Sequence, residues 1–290
     1  MIDGKRVVAF TPFGRERTVS ILVEYLRREQ ARGLLDEYWL CMNTDPNQTS
    51  DTMYGYRLAK QNPGWIKAMH RPAGVPRLTP KQRNTGYFYQ YMINPDTVYV
   101  RFDDDIVYLH PDALERLVRK RVQLHDSTLT AFAHIWNNAI CSYYAQKHGV
   151  IPLEFGEVKA PYCMDPMGWG NGEFAVKIHH LLLDTVEESG SSVDELYLYQ
   201  DIPLQPLQQF SVSCFAVDGR DYAALNPPGH LDSPEEEHWH TVHGPVTRRK
   251  GNIIVGDALV SHLTFMNQQP AVFATDILDR YRTLSVNLGV

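Results

Sequence analysis

Three consecutive aspartates, Asp103 to Asp105, are the residues of this 290-residue sequence whose spacing points most directly to chemistry. They follow residues 97–102, a run rich in β-branched and aromatic residues that predicts a β-strand. Burying adjacent like charges without a counter-charge is costly, and apolar residues resume at once at Ile106, which holds the aspartates against a packed core. The run therefore predicts a site for a divalent cation, although a solvated turn with three aspartates by chance also fits it.

The chain before the aspartates alternates between short apolar runs and segments with apolar residues at helical spacing. This order is typical of an open, mostly parallel α/β sheet flanked by helices. Ligands of such sheets bind outside the carboxyl ends of the strands. The predicted strands cover residues 6–10, 37–42, 64–70 and 97–102. The predicted helices are a first one with its apolar residues at 19–26 and its end at about residue 32, and two more over residues 79–93 and 111–122.

Loops at these carboxyl ends carry polar side chains suited to an anionic nucleotide. Two arginines stand at the start of the first predicted helix, where phosphate binds readily, although exposed arginines on a first turn fit equally well. An asparagine and an aspartate after the second strand suit hydrogen bonds to a base or ribose. With a cation at the aspartates, these side chains predict a nucleoside-diphosphate site that uses Mn²⁺ or Mg²⁺. The expected donor-binding residues of these loops and of the helix over 79–93 are Arg15, Arg17, Asn43, Asp45, Arg83 and Asn84.

The second half of the sequence offers residues suited to a sugar or an acceptor. Asn137 and Asn138 end a predicted strand over residues 127–135, where their amides suit hydroxyl groups, although a helix N-cap is an equally good use of asparagine. A glycine-rich segment then lets backbone and an aromatic ring approach a ligand closely, through Trp169 and Gly170. These four residues are the expected acceptor-binding and sugar-binding residues.

Composition excludes several classes of protein. A net charge of −6 without a long basic block argues against a broad nucleic-acid-binding surface. Four cysteines without C-x-x-C spacing argue against a zinc ribbon or a disulfide framework and fit a reducing compartment. Since no stretch approaches about 20 apolar residues, a transmembrane segment is not expected, and we expect a cytoplasmic protein. The histidines at 238, 240 and 243 have no spacing typical of a structural zinc site.

The sequence resembles the glycosyltransferases of the GT-A fold, which use nucleotide-sugar donors and carry an Asp-x-Asp motif on a central strand. Residues 101–107 match the motif, and residues 11–17 resemble the donor-binding opening of that superfamily. The resemblance implies that the last aspartate binds the metal and that an earlier one meets the ribose or the sugar. The positions so implied are Asp105 and Asp103 for the metal, Asp103 or Asp104 for the sugar, and Thr11 and Pro12 for the donor.

The same resemblance implies roles for two residues of the second half. In inverting members, an acidic residue after the tryptophan and glycines deprotonates the acceptor, which implies Glu173, although a glutamate also suits a first helical turn. A late histidine returns to the metal, which implies His262 and favours Mn²⁺ over Mg²⁺, although a packed core histidine is the alternative. Asp232 and Glu236, in an acidic stretch, are alternative bases.

We therefore expect one GT-A-like domain over residues 1–290, with a nucleotide-sugar half (1–125) and an acceptor half (126–290). The expected reaction transfers a sugar from a nucleoside-diphosphate sugar to an acceptor hydroxyl, with a divalent metal. A sugar-phosphate nucleotidyltransferase, a metal-dependent phosphohydrolase and a non-catalytic carbohydrate-binding protein remain alternatives. The donor sugar, its base, the acceptor class, the stereochemical outcome and the oligomeric state stay open.

Overall fold

The computed structural model describes residues 1–71, 73, 85–189, 192–225 and 235–288. Two of the expected donor-binding residues, Arg83 and Asn84, lie outside the described residues, as does the alternative base Asp232. Residues 79–84 of the helix expected over residues 79–93 also lie outside them, and within its described part, residues 85–93, only Gly86–Tyr89 forms an α-helix.

Strands and helices alternate through the first half of the chain and become less regular in the second. The strands are β1 (Arg6–Phe13), β2 (Glu37–Met42), β3 (Ile66–Met69), β4 (Thr97–Phe102), β5 (Ile106–Leu109), β6 (Thr128–Trp136), β7 (Ile202–Pro203), β8 (Cys214–Asp218) and β9 (Gly251–His262). The helices are α1 (Glu16–Ala31), α2 (Thr49–Gln61), α3 (Gly86–Tyr89), α4 (Ala113–Gln123), α5 (Ala139–Lys147), α6 (Pro166–Gly170), α7 (Gly172–Ser189), α8 (Gly219–Ala223), α9 (Glu236–His238), α10 (Gly244–Arg248), α11 (Gln269–Val272) and α12 (Ile277–Leu288).

The described strands form one sheet in the order β3-β2-β1-β4-β8-β6-β9-β5, with β7 alongside β9. Strands β1 to β4 pair in parallel, and β6 pairs in parallel with β9. Strand β8 runs antiparallel to both β4 and β6, while β5 and β7 run antiparallel to β9. Six of the nine strands therefore point in one direction, which confirms the predicted α/β class with a mostly parallel central sheet.

Two further departures from the expected elements are helix α2 and strand β5. Helix α2 was not predicted, because it buries only Gly55 and Leu58 and so carries a weak apolar pattern. The apolar run after the aspartates forms a strand of its own, β5, which pairs with β9 and not with the neighbours of β4. Between β4 and β5 the chain crosses from one position in the sheet to another, and the aspartates lie in this connection. No helix among the described residues is long and apolar enough to cross a membrane.

This crossing is tied to the sheet by backbone hydrogen bonds at both ends. The amide of Asp103 donates to the carbonyl of Ser213, immediately before β8, at 2.8 Å. The amide of Leu263, immediately after β9, donates to the carbonyl of Asp105 at 2.9 Å. Every residue of β4, β5 and β6 is buried, as expected of strands covered on both faces. The three aspartates are thus held at the edge of a rigid core, beside the carboxyl ends of β1, β4, β6 and β9.

A close backbone approach at Gly219 supports the amino end of β4. A Cβ atom at Gly219 would collide with the carbonyl oxygen of Asn94, whereas a Cβ atom at Gly64 would meet no atom within 4 Å. We expect Gly219→Ala to lower the free energy of unfolding by about 1–3 kcal/mol, because backbone must move to admit the methyl group. Urea denaturation of this variant and of Gly64→Ala as the control measures the effect. Equal stabilities of the two variants would show that the close approach of Gly219 to Asn94 does not matter for stability.

Candidate metal and donor site

Three residues predicted as metal ligands come together at the carboxyl edge of the sheet. One ligand atom from each of Asp103, Asp105 and His262 lies within 4.8 Å of the others. The loop after β4 supplies the two aspartates, and the last residue of β9 supplies the histidine. Because β4 and β9 point in the same direction, residues about 160 positions apart in the sequence meet at one edge, as expected of sheets of this class.

The carboxylate of Asp105 and the imidazole of His262 form a buried pair. Nε2 of His262 lies 3.3 Å from Oδ1 of Asp105. Burial alone would raise the pKa of Asp105, but the neighbouring His262 and Arg15 outweigh it and lower this pKa below its usual range. Burial alone would lower the pKa of His262, but the Asp105 carboxylate outweighs it and raises this pKa. The pair therefore favours an ionised carboxylate at the centre of the site.

Arg15 supplies the counter-charge to the last two aspartates. Its Nε donates to Oδ1 of Asp104 at 3.0 Å, and its Nη2 also contacts that oxygen. The same Nη2 lies 3.0 Å from Oδ2 of Asp105. Burial raises the pKa of Asp104 although Arg15 opposes this shift. Arg15 is the N-cap residue of α1, so the helix that follows β1 delivers its guanidinium to the aspartates.

Arg101 links the first aspartate to a glutamate far along the chain. Its Nη2 donates to Oδ1 of Asp103 at 2.6 Å, and its Nη1 lies 2.6 Å from Oε1 of Glu236. The hydroxyls of Tyr89 and Thr85 also donate to the carboxylate of Glu236. Burial raises the pKa of Glu236, with Arg101 acting in the opposite direction. Sequence analysis did not identify Arg101 as a residue of the site. The signal that could have identified it is a cationic side chain in a strand of mainly apolar residues, directly before three carboxylates.

The two asparagines expected to bind hydroxyl groups are buried and hydrogen-bonded within the protein. Nδ2 of Asn137 donates to the carbonyls of His262 and Leu263, at 3.2 and 3.1 Å, and to Oε1 of Gln268 at 2.9 Å. Asn137 has a φ of 64°, a left-handed conformation that asparagine tolerates. Oδ1 of Asn138 accepts two backbone N–H groups as the N-cap of α5. Asn137 therefore positions the chain where β9 ends at His262, and a direct sugar contact by either residue stays a prediction.

The tryptophan of the glycine-rich segment approaches the metal site through one intervening ring. Its ring centroid lies 6.2 Å from that of Phe265, which lies 4.6 Å from that of His262. Trp169 and Gly170, at the end of α6, are partly exposed. Glu173 is exposed in the first turn of α7, and no hydrogen bond or ion pair in the described part of the chain joins it to the aspartates. Its role as a base stays a prediction.

The expected donor-binding residues lie around the carboxyl ends of β1 and β2. Thr11 is buried near the end of β1 and Pro12 is partly exposed, while the guanidinium of Arg17 lies 4.1 Å above the ring of Phe273. Next to Arg17 is an open depression of about 500 Å³, which is also lined by Arg15. The backbone amides of the residues after β2 are hydrogen-bonded: that of Asn43 donates to the backbone carbonyl of Phe13 at 3.0 Å, and that of Asp45 to the side-chain Oε1 of Gln48 at 2.8 Å.

His240, the buried histidine of the histidine-rich stretch, has partners of its own away from the aspartates. Both ring nitrogens of His240 are hydrogen-bonded within the protein, Nε2 to the hydroxyl of Tyr222 and Nδ1 to the carbonyl of Glu236, each at 2.8 Å. Burial lowers the pKa of His240 to about 3. His240 is therefore a neutral core residue that connects the acidic stretch to α8.

Comparison with known proteins gives similar structures and no sequence relatives. No family model matches the sequence, and no curated protein matches it either. A structure of glucosyl-3-phosphoglycerate synthase from Mycobacterium tuberculosis with Mn²⁺, UDP-glucose and phosphoglyceric acid is 12% identical, with a TM-score of 0.46, over 98% of this chain and 80% of that one. Glycosyltransferases and nucleotidyltransferases, two of the classes left open above, both occur among the similar structures.

The two nucleotidyltransferases cover less of the chain. 4-Diphosphocytidyl-2C-methyl-D-erythritol synthase from Anaerococcus prevotii is 15% identical, with a TM-score of 0.30, over 45% of this chain and 56% of that one. CMP:2-keto-3-deoxy-manno-octonic acid synthetase is 14% identical, with a TM-score of 0.28, over 44% of this chain and 52% of that one. This chain thus spans about half the length of these two enzymes. Identities this low do not indicate an activity, so a functional argument has to come from the site itself.

The contacts of Asn137 predict a difference between two adjacent asparagines. In Asn137→Asp a carboxylate oxygen would replace the Nδ2 donor and face three acceptor oxygens. The carbonyl of Leu263 and Oε1 of Gln268 keep other donors, so the cost comes mainly from burying a carboxylate without a donor, about 1–3 kcal/mol or more. Asn138→Asp keeps the oxygen that caps α5, and aspartate is as good an N-cap as asparagine. We expect the first variant to unfold at a clearly lower denaturant concentration than the second. Similar denaturation midpoints for both variants would show that the hydrogen bonds of Asn137 to His262 and Leu263 do not stabilise the end of β9.

Glu237 predicts a pH dependence of stability. Burial raises the pKa of Glu237 to about 7, with the neighbouring Glu235 and Glu236 adding to the shift. Because the pKa in the folded state is above that of the unfolded chain, Glu237 stabilises the fold at low pH, and this contribution is lost as the pH rises from its usual pKa to about 7. We expect Glu237→Gln to match the original protein at pH 4 and to be more stable at pH 8. Thermal unfolding between these values measures it, with the exposed Glu154→Gln as control; a constant difference across the range would contradict the prediction.

Proposed function

We propose that the protein is a metal-dependent glycosyltransferase that moves a sugar from a nucleoside-diphosphate sugar to an acceptor hydroxyl. The observation that supports the proposal is the meeting of Asp103, Asp105 and His262 within 4.8 Å, next to a cationic side chain at the carboxyl edge of the sheet. In this proposal, the nucleotide-sugar half supplies the aspartates and the acceptor half supplies the histidine. The site therefore lies where the two halves meet.

The residues present fit a divalent cation. Two carboxylates and one imidazole form a mixed oxygen and nitrogen donor set, which suits Mn²⁺ better than Mg²⁺. Nδ1 of His262 is buried and has no hydrogen-bond partner within the described ranges, so this ring keeps unused bonding capacity. Asp103, Asp105 and His262 would hold the cation. When bound, a divalent cation neutralises the phosphoryl groups of a donor and so favours departure of the nucleoside diphosphate.

The other side chains have roles in holding the substrates. Arg17, Asn43 and Asp45 stand around the carboxyl ends of β1 and β2, where we place the nucleotide. Trp169, with its ring next to Phe265, would cover the sugar from the side of the histidine. Glu173 is exposed and free to reach an acceptor, and we propose it as the base that removes the hydroxyl proton if the reaction inverts configuration. A retaining reaction requires no such base.

Glu236, the alternative base, is better described as a support for the site. Its carboxylate already accepts hydrogen bonds from Tyr89 and Thr85 and is paired with Arg101. A base needs a free oxygen directed at the acceptor proton, and these partners leave Glu236 poorly suited to that task. Its contacts instead join α3 and α9 to the guanidinium that holds Asp103.

The proposal predicts a severe effect of Asp105→Asn on activity. The amide keeps the shape of the side chain but loses the charge that a cation requires, so we expect turnover to fall by about 100-fold or more. Release of nucleoside diphosphate from uridine, guanosine, cytidine and thymidine diphosphosugars with Mn²⁺ measures the activity. Asp126→Asn, whose carboxylate is 92% exposed before β6, is the control and is expected to keep full activity. Full activity of Asp105→Asn would contradict the metal assignment, and release of pyrophosphate from nucleoside triphosphate would indicate a nucleotidyltransferase.

A further inference from the structure

The two oxygens of Asp105 face two different cationic partners. Oδ1 faces Nε2 of His262 at 3.3 Å, and Oδ2 faces Nη2 of Arg15 at 3.0 Å. Arg15 also holds Asp104 through Nε and Nη2. A side chain that the proposed function assigns to the cation is thus already neutralised by a group of the protein itself. Arg15 supplies the positive charge that a bound cation would otherwise supply to Asp105.

Without a bound cation, the aspartates need the positive charge of Arg15, because carboxylates are in excess around them. Four carboxylates, those of the aspartates and Glu236, face the guanidinium groups of Arg15 and Arg101 and the imidazole of His262, so the carboxylates outnumber their cationic partners. Such a group repels a diphosphate. Binding of a divalent cation offsets the excess, and the charge of Arg15 is then no longer required to keep Asp104 and Asp105 together.

The two arginines differ in their freedom to move. The Arg101 side chain is only 6% exposed and is clamped between two carboxylates, so it is a fixed counter-charge. The Arg15 side chain is 33% exposed and lines the open depression of about 500 Å³ at the head of α1. Arg17 and Arg282 line the same depression, together with the acidic Glu16 and Asp51. Because the Asp51 carboxylate already accepts the amide of Glu16 at 2.8 Å, the guanidinium groups, and not the first amide of α1, are the groups suited to meet a diphosphate there.

We infer that Arg15 exchanges partners during substrate binding: it pairs with Asp104 and Asp105 in the cation-free protein, and it turns its guanidinium to the phosphoryl oxygens of the donor once Asp105, together with Asp103 and His262, holds a cation. This inference rests on the proposed function. It makes Arg15 the diphosphate-recognising residue and couples the two binding events, since the cation and the diphosphate each favour the arrangement that the other requires.

The exchange predicts effects of opposite sign on the two ligands. In Arg15→Gln the internal competitor is gone, so we expect Mn²⁺ alone to bind about tenfold more tightly than to the original protein. The same variant lacks the fork that grips phosphoryl oxygens, so we expect nucleoside diphosphate, at saturating Mn²⁺, to bind about tenfold more weakly. Titration calorimetry with MnCl₂, and then with uridine, guanosine, cytidine and thymidine diphosphates, measures both affinities.

Two further variants keep the test decisive. Arg15→Lys retains a charge that can pair with the aspartates but lacks the bidentate fork, so it is expected to bind Mn²⁺ nearly as the original protein does and nucleoside diphosphate more weakly. Arg27→Gln, an exposed arginine of the same helix that pairs with Glu24 at 3.2 Å, is the control and should leave both affinities unchanged.

Each outcome decides one of the two ideas. Tighter Mn²⁺ binding with weaker diphosphate binding in Arg15→Gln supports the exchange. Unchanged or weaker Mn²⁺ binding in that variant overturns it, and so does full diphosphate affinity in Arg15→Lys, which applies even if Arg15→Gln fails to fold. If the original protein itself binds neither Mn²⁺ nor any of the four diphosphates, the proposed function fails and the inference fails with it.

Discussion

Repulsion between adjacent carboxylates at the carboxyl edge of the sheet is the constraint on which the site depends. Three aspartates in succession are held against buried strands, where unpaired negative charge is costly. The protein answers with two guanidinium groups and an imidazole, which come from β1–α1, from β4 and from β9. Arg15 comes from the loop between β1 and α1, and His262 comes from the end of β9, about 160 residues after the aspartates. These ion pairs therefore also join parts of the fold that are distant in sequence.

The sheet topology explains why these groups can meet. The antiparallel strand β8 lies between β4 and β6, and its preceding residue, Ser213, accepts a hydrogen bond from Asp103. Strand β9 returns in the direction of β4 and places His262 at the same edge, while Asn137, after β6, holds the following loop. A site made in this way has a buried side, formed by Arg101 and the strands, and a more exposed side, formed by Arg15 and the open depression. The exchange proposed for Arg15 depends on this difference in exposure.

Sequence reasoning succeeded where local pattern decides structure. The bounds of β2 and the approximate positions of β1, β4, β6, α1 and α4 follow from apolar runs, helical spacing and capping residues. It failed where long-range contacts decide. The pairing of Arg101 with Glu236 spans 135 positions, and the place of β5 beside β9 depends on a crossing that no local signal records. Arg15 was expected to hold phosphate, and its contact with the aspartates became visible only when the end of β1 was placed next to the end of β4.

The most direct measurement is a crystal structure of the protein grown with Mn²⁺ and a nucleoside diphosphate, with diffraction data collected at a wavelength where manganese scatters anomalously. The account predicts an anomalous peak at coordinating distance from Asp105, Asp103 and His262, with the guanidinium of Arg15 turned from the aspartates to the diphosphate. A map without a peak at these residues, in which Arg15 still contacts Asp104 and Asp105 although nucleotide is bound, would contradict it.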